Sequence, residues 1–264
     1  MTSHIIGNRI APVLLVAAAL ASCDKNTVQQ LPLEPLLTAR IKFFNFGVNA
    51  PGVNFYADNT KLTAIQSGTG REDTTGVRYG GVGNGGAYSQ IASGSHTLTG
   101  RIAATTDTDL PIATVTTTIA DGKFYSFYMT GFYNTTAKTS DAFVLEDAYP
   151  ADIDWSVALV RFVHTIPNAN ALTLYAANTI TFDTAAAGGP VAYKNAGTFT
   201  ALEPGVYNLY ARYTDSTTNK IVRTAVTLSG GRVYTVTARG DITVAPTTTC
   251  PSTSKTCLDN TPNR

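Results

Sequence analysis

Histidine and cysteine are the residue types in this chain best suited to metal binding, proton transfer or nucleophilic attack, and there are three of each. His4 lies in an apolar leader, and His96 and His164 form no H-x-H or H-x-x-x-H pair that could clamp a metal. A general-base role for His164 in a hydrolase is the one catalytic alternative, but no G-x-S-x-G elbow accompanies it. His96 alternates with polar residues along an inward face, where a hydrogen-bonded, partly buried ring is the plainer reading. Gly81 to Gly86 spell a literal G-x-G-x-x-G, but an extended pattern follows instead of a helix, so no pyrophosphate could sit on a helix N-terminus. That segment reads as a mobile loop. Carboxylates pair at Asp107/Asp109 and Asp152/Asp154, with Glu146 and Asp147 before the second pair. Calcium would need six to eight oxygens and a dedicated loop, so solvated turn carboxylates are the plainer reading, with Trp155 beside them packing a domain junction. No catalytic residue, metal or cofactor is assigned.

Cys23 carries a different chemistry. Arg9 precedes an apolar run from Ile10 to Leu20, too short to span a bilayer and of the length of a signal-peptide core. The run ends in Leu20-Ala21-Ser22-Cys23, which resembles the bacterial lipobox. That resemblance implies cleavage after residue 22, a diacylglyceryl thioether on Cys23, and a protein held to a membrane by acyl chains without a transmembrane helix. The two remaining cysteines, Cys250 and Cys257, form an even set outside the cytosol, so a disulfide in a Thr/Pro/Ser-rich tail is expected, with two free thiols as the alternative.

Only 14% of residues are charged, while Gly, Pro and Thr are abundant, a composition suited to strands and turns and unsuited to a mainly helical fold. Lys and Arg total 19 against 18 Asp and Glu, so losing Arg9 with the signal leaves a formal charge of zero. Basic residues are scattered singly, which excludes a phosphate-neutralising stripe and with it nucleic acid as a partner.

The elements that must position any site come from a duplication. Arg40-Ile41-Lys42-Phe43 is answered by Leu159-Val160-Arg161-Phe162, and Phe55-Tyr56-Ala57 by Leu174-Tyr175-Ala176. Further on, Tyr88 answers Phe199, His96 answers Tyr207, and Phe124-Tyr125 answers Val233-Tyr234. A period of about 110 residues is a domain duplication, far longer than a solenoid unit. Within each unit, short alternating runs such as His96, Leu98, Gly100 and Ile102 are separated by turn residues, with Asp121-Gly122 and Gly230-Gly231 placed for hairpin turns before the last strand. About seven strands in such a length is the rhythm of an immunoglobulin-like antiparallel β-sandwich. Two in tandem are expected, all-β.

Val160-Arg161-Phe162-Val163-His164, Pro167, Leu172-Thr173-Leu174-Tyr175, Leu202-Glu203-Pro204-Gly205 and Gly231-Arg232-Val233-Tyr234 together resemble the bacterial cell-envelope family described as domain of unknown function 4397, over residues 39–244. The resemblance implies extracytoplasmic β-sandwiches, often lipid-anchored, with no established activity. The first repeat departs from the family pattern, having Asn45 and Val48 where the second has His164 and Pro167.

The expected organisation is a signal peptide over 1–22, a lipidated tether over 23–38, sandwiches over 39–148 and 158–245 joined by a linker over 149–157, and a flexible tail over 246–264. In the last strand of the first repeat, Phe124 and Tyr128, with Phe132 and Tyr133 beyond, are expected to face outward as a ligand face or as the interface between sandwiches. The leading functional expectation is a non-catalytic, extracytoplasmic, lipid-anchored protein of the bacterial envelope that binds or supports. Its partners would be the membrane, through the anchor, and a cell-wall glycan or envelope protein. A hydrolase using His164 and a passive spacer are the alternatives.

Overall fold

A computed structural model describes residues 39–63, 75–246, 248, 250 and 255–264. The signal, Cys23 and the tether lie outside the described residues. The first repeat folds as β1 (Ala39–Asn45), β2 (Val53–Ala57), β3 (Thr60–Lys61), β4 (Gly81–Val82), β5 (Ser89–Ile91), β6 (Gly94–Ile102), β7 (Pro111–Ile119), β8 (Phe124–Asn134) and β9 (Thr139–Glu146). The second gives β10 (Ala158–His164), β11 (Leu172–Asn178), β12 (Thr184–Ala186), β13 (Asn195–Ala196), β14 (Thr200–Leu202), β15 (Gly205–Tyr213), β16 (Ile221–Leu228), β17 (Val233–Arg239) and β18 (Cys257–Pro262).

Each repeat is a two-sheet sandwich. One sheet runs β4-β1-β8-β9, with β5 also on β1, and faces β3-β2-β6-β7; in the second repeat β13-β10-β17-β18, with β14 on β10, faces β12-β11-β15-β16. Pairing is antiparallel except that β1 runs parallel to β8, and β10 parallel to β17. The intervening strands cross to the opposite sheet and return, which lets these neighbours point the same way. Asp121-Gly122 and Gly230-Gly231 therefore arch between sheets instead of closing hairpins. In both arches the second residue, Gly122 or Gly231, takes a φ of 69°, which is inexpensive without a Cβ.

Alternation explains the outer sheets. Along β15, Tyr207, Leu209 and Ala211 are buried while their neighbours are partly exposed. The inner sheets follow another rule: β17 is buried at every residue, and β1 and β10 at all but one. Ile41 and Phe43 enter the first core while Phe44 and Phe46 enter a separate apolar cluster with Tyr128, Phe143 and Val163. Val163 belongs to the second repeat, so these two sheets pack on each other and the two sandwiches form four layers. Two-faced burial is why β1 and β10 read as nearly continuous apolar runs.

The tail departs from expectation. Its last residues form β18, paired along β17 from Tyr234 with Pro262 to Arg239 with Cys257, and Cys257 and Leu258 are buried. The second sandwich thus extends to Pro262, well past 245, because its inner sheet lacks an edge strand until the chain returns. Cys250 and Cys257 are joined by a disulfide with their Cα atoms 5.4 Å apart, which pins the start of that strand.

Candidate functional site

The row on β8 lies where the layers meet. Tyr128 is 0% exposed, and its ring stacks on Phe44 at 4.5 Å and on Phe143 at 5.0 Å. Burial pushes its phenol pKa up to about 12. Phe124 packs on Tyr88 and Tyr149, and Tyr149 in turn meets Phe199 of the second repeat. Phe132 keeps 44% exposure beyond the contact. Tyr133 corrects the expectation: it shares the inward parity of Tyr125, Phe127 and Met129 and packs against the first core. The row serves as interface and offers no open ligand face at Tyr128.

A polar network crosses the same contact. Arg161 of β10 forms a buried ion pair with Asp147, which follows β9, and donates to the Glu146 carbonyl at 2.9 Å. Asp147 also accepts from Tyr88 Oη at 2.6 Å and Ser126 Oγ at 2.8 Å. Burial first, and then the Asp147 charge, push the Tyr88 pKa far above that of an ordinary phenol. Lys42 of β1, the equivalent of Arg161, donates to Pro262 O at 2.6 Å and reaches Asn263 Oδ1 at 3.5 Å. Desolvation pulls its pKa down to about 8, against the opposing pull of Asp147. At the far end Arg239 pairs with Asp259 and lies against the rings of Tyr79 and Phe46. Gly80 takes a φ of 78°, and a Cβ there would come within 2.8 Å of that guanidinium, so backbone and contact both favour a glycine.

Both histidines of the described residues are held by bonds within their own repeats, His96 through its Nδ1 to Asp58 Oδ2 at 2.8 Å as well as through its Nε2. His164 is fully buried; its Nδ1 accepts from Ile166 N and its Nε2 faces Asn170 O, each at 3.1 Å. Burial lowers its pKa, favouring the neutral ring that these bonds need. Asn45 does the same work in the first repeat, accepting from Gly47 N at 3.3 Å and donating to Pro51 O at 3.1 Å. Likewise His96 Nε2 contacts Ala92 O at 2.9 Å, four residues back, as Tyr207 Oη donates to Glu203 O at 2.8 Å.

The acidic residues do not converge. Asp107 pairs with Lys138, Glu146 with Lys123, and Asp154 accepts from Ser156 N and Oγ. Among the described residues, one group of three potential metal ligands lies close together: Cys250, Cys257 and Asp259, whose two sulfurs are already bonded to each other. The segment read as a mobile loop at Gly81 forms β4 and one 3-10 turn, tied down by Asn84 Nδ2 donating to Leu62 O at 2.8 Å.

Among the described residues, the most exposed large apolar side chains lie at one pole of the second sandwich. Trp155 is 82% exposed and lies flat on Gly231, where an added Cβ would meet its ring at 2.4 Å. It is therefore outside the junction it was expected to fill. A cleft of about 420 Å³ opens beside it, with Asp152, Arg232 and Arg264 on its walls. A second, of about 410 Å³, lies between the sheets at Leu202, Glu203 and Tyr207.

The duplicated sandwiches, the shared parallel pairing and the repeated interior bonds agree with the sequence comparison. A family model described as a domain of unknown function (DUF4397) matches residues 39–175 and again 158–256. The chain belongs to this family. The two matches overlap, and the second starts at the first residue of β10, so each sandwich falls within a match of its own apart from the closing strand β18. No curated protein matches the chain.

Neither Lys42 nor Arg161 was singled out from sequence. The signal available was a cation inside an apolar run, at equivalent positions of both repeats, which a two-faced strand tolerates only opposite a polar partner.

Proposed function

We propose that the chain is a non-catalytic, lipid-anchored protein of the bacterial envelope, exported by residues 1–22, acylated on Cys23, and acting as a rigid binding or structural module. The anchor rests on Leu20-Ala21-Ser22-Cys23, and the non-catalytic part is supported by the engagement of His164, whose two ring nitrogens are bonded to main-chain groups inside the fold and so are poorly placed to act as a hydrolase's general base. The buried Arg161–Asp147 pair and the stacked rings around Tyr128 supply the rigidity. Among the described residues no helix is long and apolar enough to cross a membrane, which is compatible with anchoring by acyl chains. A cell-wall glycan or envelope protein would have to be met elsewhere than on Tyr128. The test is a Cys23→Ala variant expressed beside the wild type in a bacterial host with labelled fatty acid. Label on the wild type alone, with the variant released from the membrane fraction, supports the anchor; label on both would remove it.

A further inference from the structure

We infer that the pole carrying Trp155, Ile180 and Phe182 is a second membrane contact, which seats these side chains in the interfacial layer of the bilayer. The inference rests on the proposed anchoring at Cys23. Ile180 is 78% and Phe182 81% exposed, and with Trp155 they are the three most exposed large apolar side chains among the described residues. They share one end of the fold. Trp155 O lies against Gly230, Gly230 against Pro204, and Gly205 against the Asn178 side chain, whose main-chain oxygen accepts from Phe182 N at 3.0 Å.

The apolar turn is held rigidly outward. Ile180 N and Thr181 N both donate to Asn178 Oδ1, and Phe182 takes a φ of 62°, a left-handed conformation uncommon for a bulky residue. The first repeat has only the exposed polar pair Asp58-Asn59 at its equivalent β2–β3 turn. Repetition of the fold therefore does not require these apolar residues.

The place where the chain enters identifies the occupant. Arg40 N donates to Lys123 O at the start of β1 just as Leu159 N donates to Arg232 O beside Trp155, so these are equivalent ends of the two sandwiches. They point the same way: Lys42 meets Pro262 and Arg161 meets Asp147 near the strand starts, while Thr130 Oγ1 meets Thr165 O near their ends. Ala39 follows Cys23 by so few residues that even a fully extended tether spans no more than roughly 55 Å. The end of the body that enters from the tether is thus the end bearing the tip, and tethering raises its effective concentration at the bilayer. Trp at the headgroup level with Ile and Phe beyond is the chemistry that the interface accepts. Exposed charges around the tip have both signs, Asp152, Asp154, Asp183 and Glu203 against Arg232 and Arg264, with acids in excess, so the contact is apolar in origin and draws nothing from anionic lipid.

Trp155 is the only tryptophan, so its emission reports the tip alone. The full chain, purified from membranes, is reconstituted in phosphatidylcholine vesicles with or without brominated acyl chains, and mass spectrometry of its N-terminal peptide reads acylation. We expect a blue-shifted emission quenched about twofold by bromine, persisting in roughly 0.5 M salt. An Ile180→Asp/Phe182→Asp variant should stay acylated and vesicle-bound but lose the quenching. An acylated, bound wild type with unquenched emission would overturn the tip and leave the anchor standing. An unacylated chain would remove the anchor, and its quenching at high lipid would then decide the tip by itself.

Discussion

The two halves of the contact between the sandwiches have the same plan and different charges. In one half Arg161 lies over the Phe199 ring and reaches the carbonyl of Glu146 and the carboxylate of Asp147. In the other Lys42 lies over the Tyr88 ring and reaches the carbonyl of Pro262 and the amide of Asn263. Asp147 and Asn263 are equivalent: the N–H of each donates to the first residue of the neighbouring strand, Phe124 O or Val233 O, at 2.7 Å. Each also bonds a hydroxyl on that strand, Ser126 or Thr235. The interface is isologous in form, like that of a two-fold dimer, though it lies within one chain. One cation has a full counter-charge and the other a neutral amide, so the symmetry of the fold is not matched by symmetry of charge.

Removing one side of the comparison altogether should have the largest effect. A chain ending at Pro246 loses β18, and with it Leu258 from the second core, the Asp259 partner of Arg239 and both partners of Lys42. The expected outcome is loss of cooperative unfolding of the second sandwich, a deficit above roughly 5 kcal/mol given the buried side chains and orphaned charges. Thermal unfolding followed by circular dichroism measures it; a truncated chain melting like the full one would mean that β18 is dispensable.

Asp147→Asn makes the charged half resemble the neutral one. Arg161 would then be a buried cation without a counter-charge, costing about 3 to 5 kcal/mol. Urea unfolding should show this, and the double variant Arg161→Met/Asp147→Leu should recover part of the loss, because apolar replacements remove both charges but leave the Tyr88 and Ser126 hydroxyls without their acceptor. Full additivity of the two single changes would contradict a coupled pair.

The interior shows that different residues can do one task. His164→Asn copies Asn45 into the second repeat and should cost no more than about 1 kcal/mol, whereas His164→Ala leaves buried main-chain groups unbonded at about 2 to 3 kcal/mol. Burial lowers the folded pKa of His164, so the unfolded chain takes up the proton first. Stability from this site is therefore present above the ordinary histidine pKa and lost as pH falls below it. His164→Asn should flatten that acid-side slope in denaturation curves; an unchanged slope would assign it elsewhere.

The duplication made the sandwiches legible, because Arg40 to Phe43 and Leu159 to Phe162 repeat at the scale of a domain and the outer strands alternate cleanly. β18 was not legible. Cys257 to Pro262 lack apolar alternation and follow a Thr/Pro/Ser-rich stretch, so only pairing with β17 makes them a strand. The outward face of β8 could be read from period two, but what covers it could not, since the covering residues come from β10 and β13. Lys42 and Arg161 were visible as equivalents, while their partners lie at the ends of the edge strands and just past them, where the two repeats share no recognisable sequence.

The smallest expected effect is also the sharpest test of the charge asymmetry. Asn263→Asp should give Lys42 the counter-charge that Arg161 already has, with Thr235 donating to the carboxylate as Ser126 does to Asp147. In the wild type the folded pKa of Lys42, about 8, lies below the ordinary lysine value of 10.5. Between these pH values the unfolded chain holds the extra proton, so stability should rise with pH from about 8 towards 10, by no more than about 3 kcal/mol. Above about 10 tyrosines of the unfolded chain lose protons while the buried Tyr88 and Tyr128 keep theirs, which reverses the slope and closes the window. Asn263→Asp should raise the folded pKa of Lys42, abolish the rise, and add about 1 kcal/mol at neutral pH. Urea midpoints across this range measure both chains. A wild type whose midpoint falls between pH 8 and 10 would show that Lys42 is paid no penalty for its neutral partner, and the two halves of the interface would then be energetically alike.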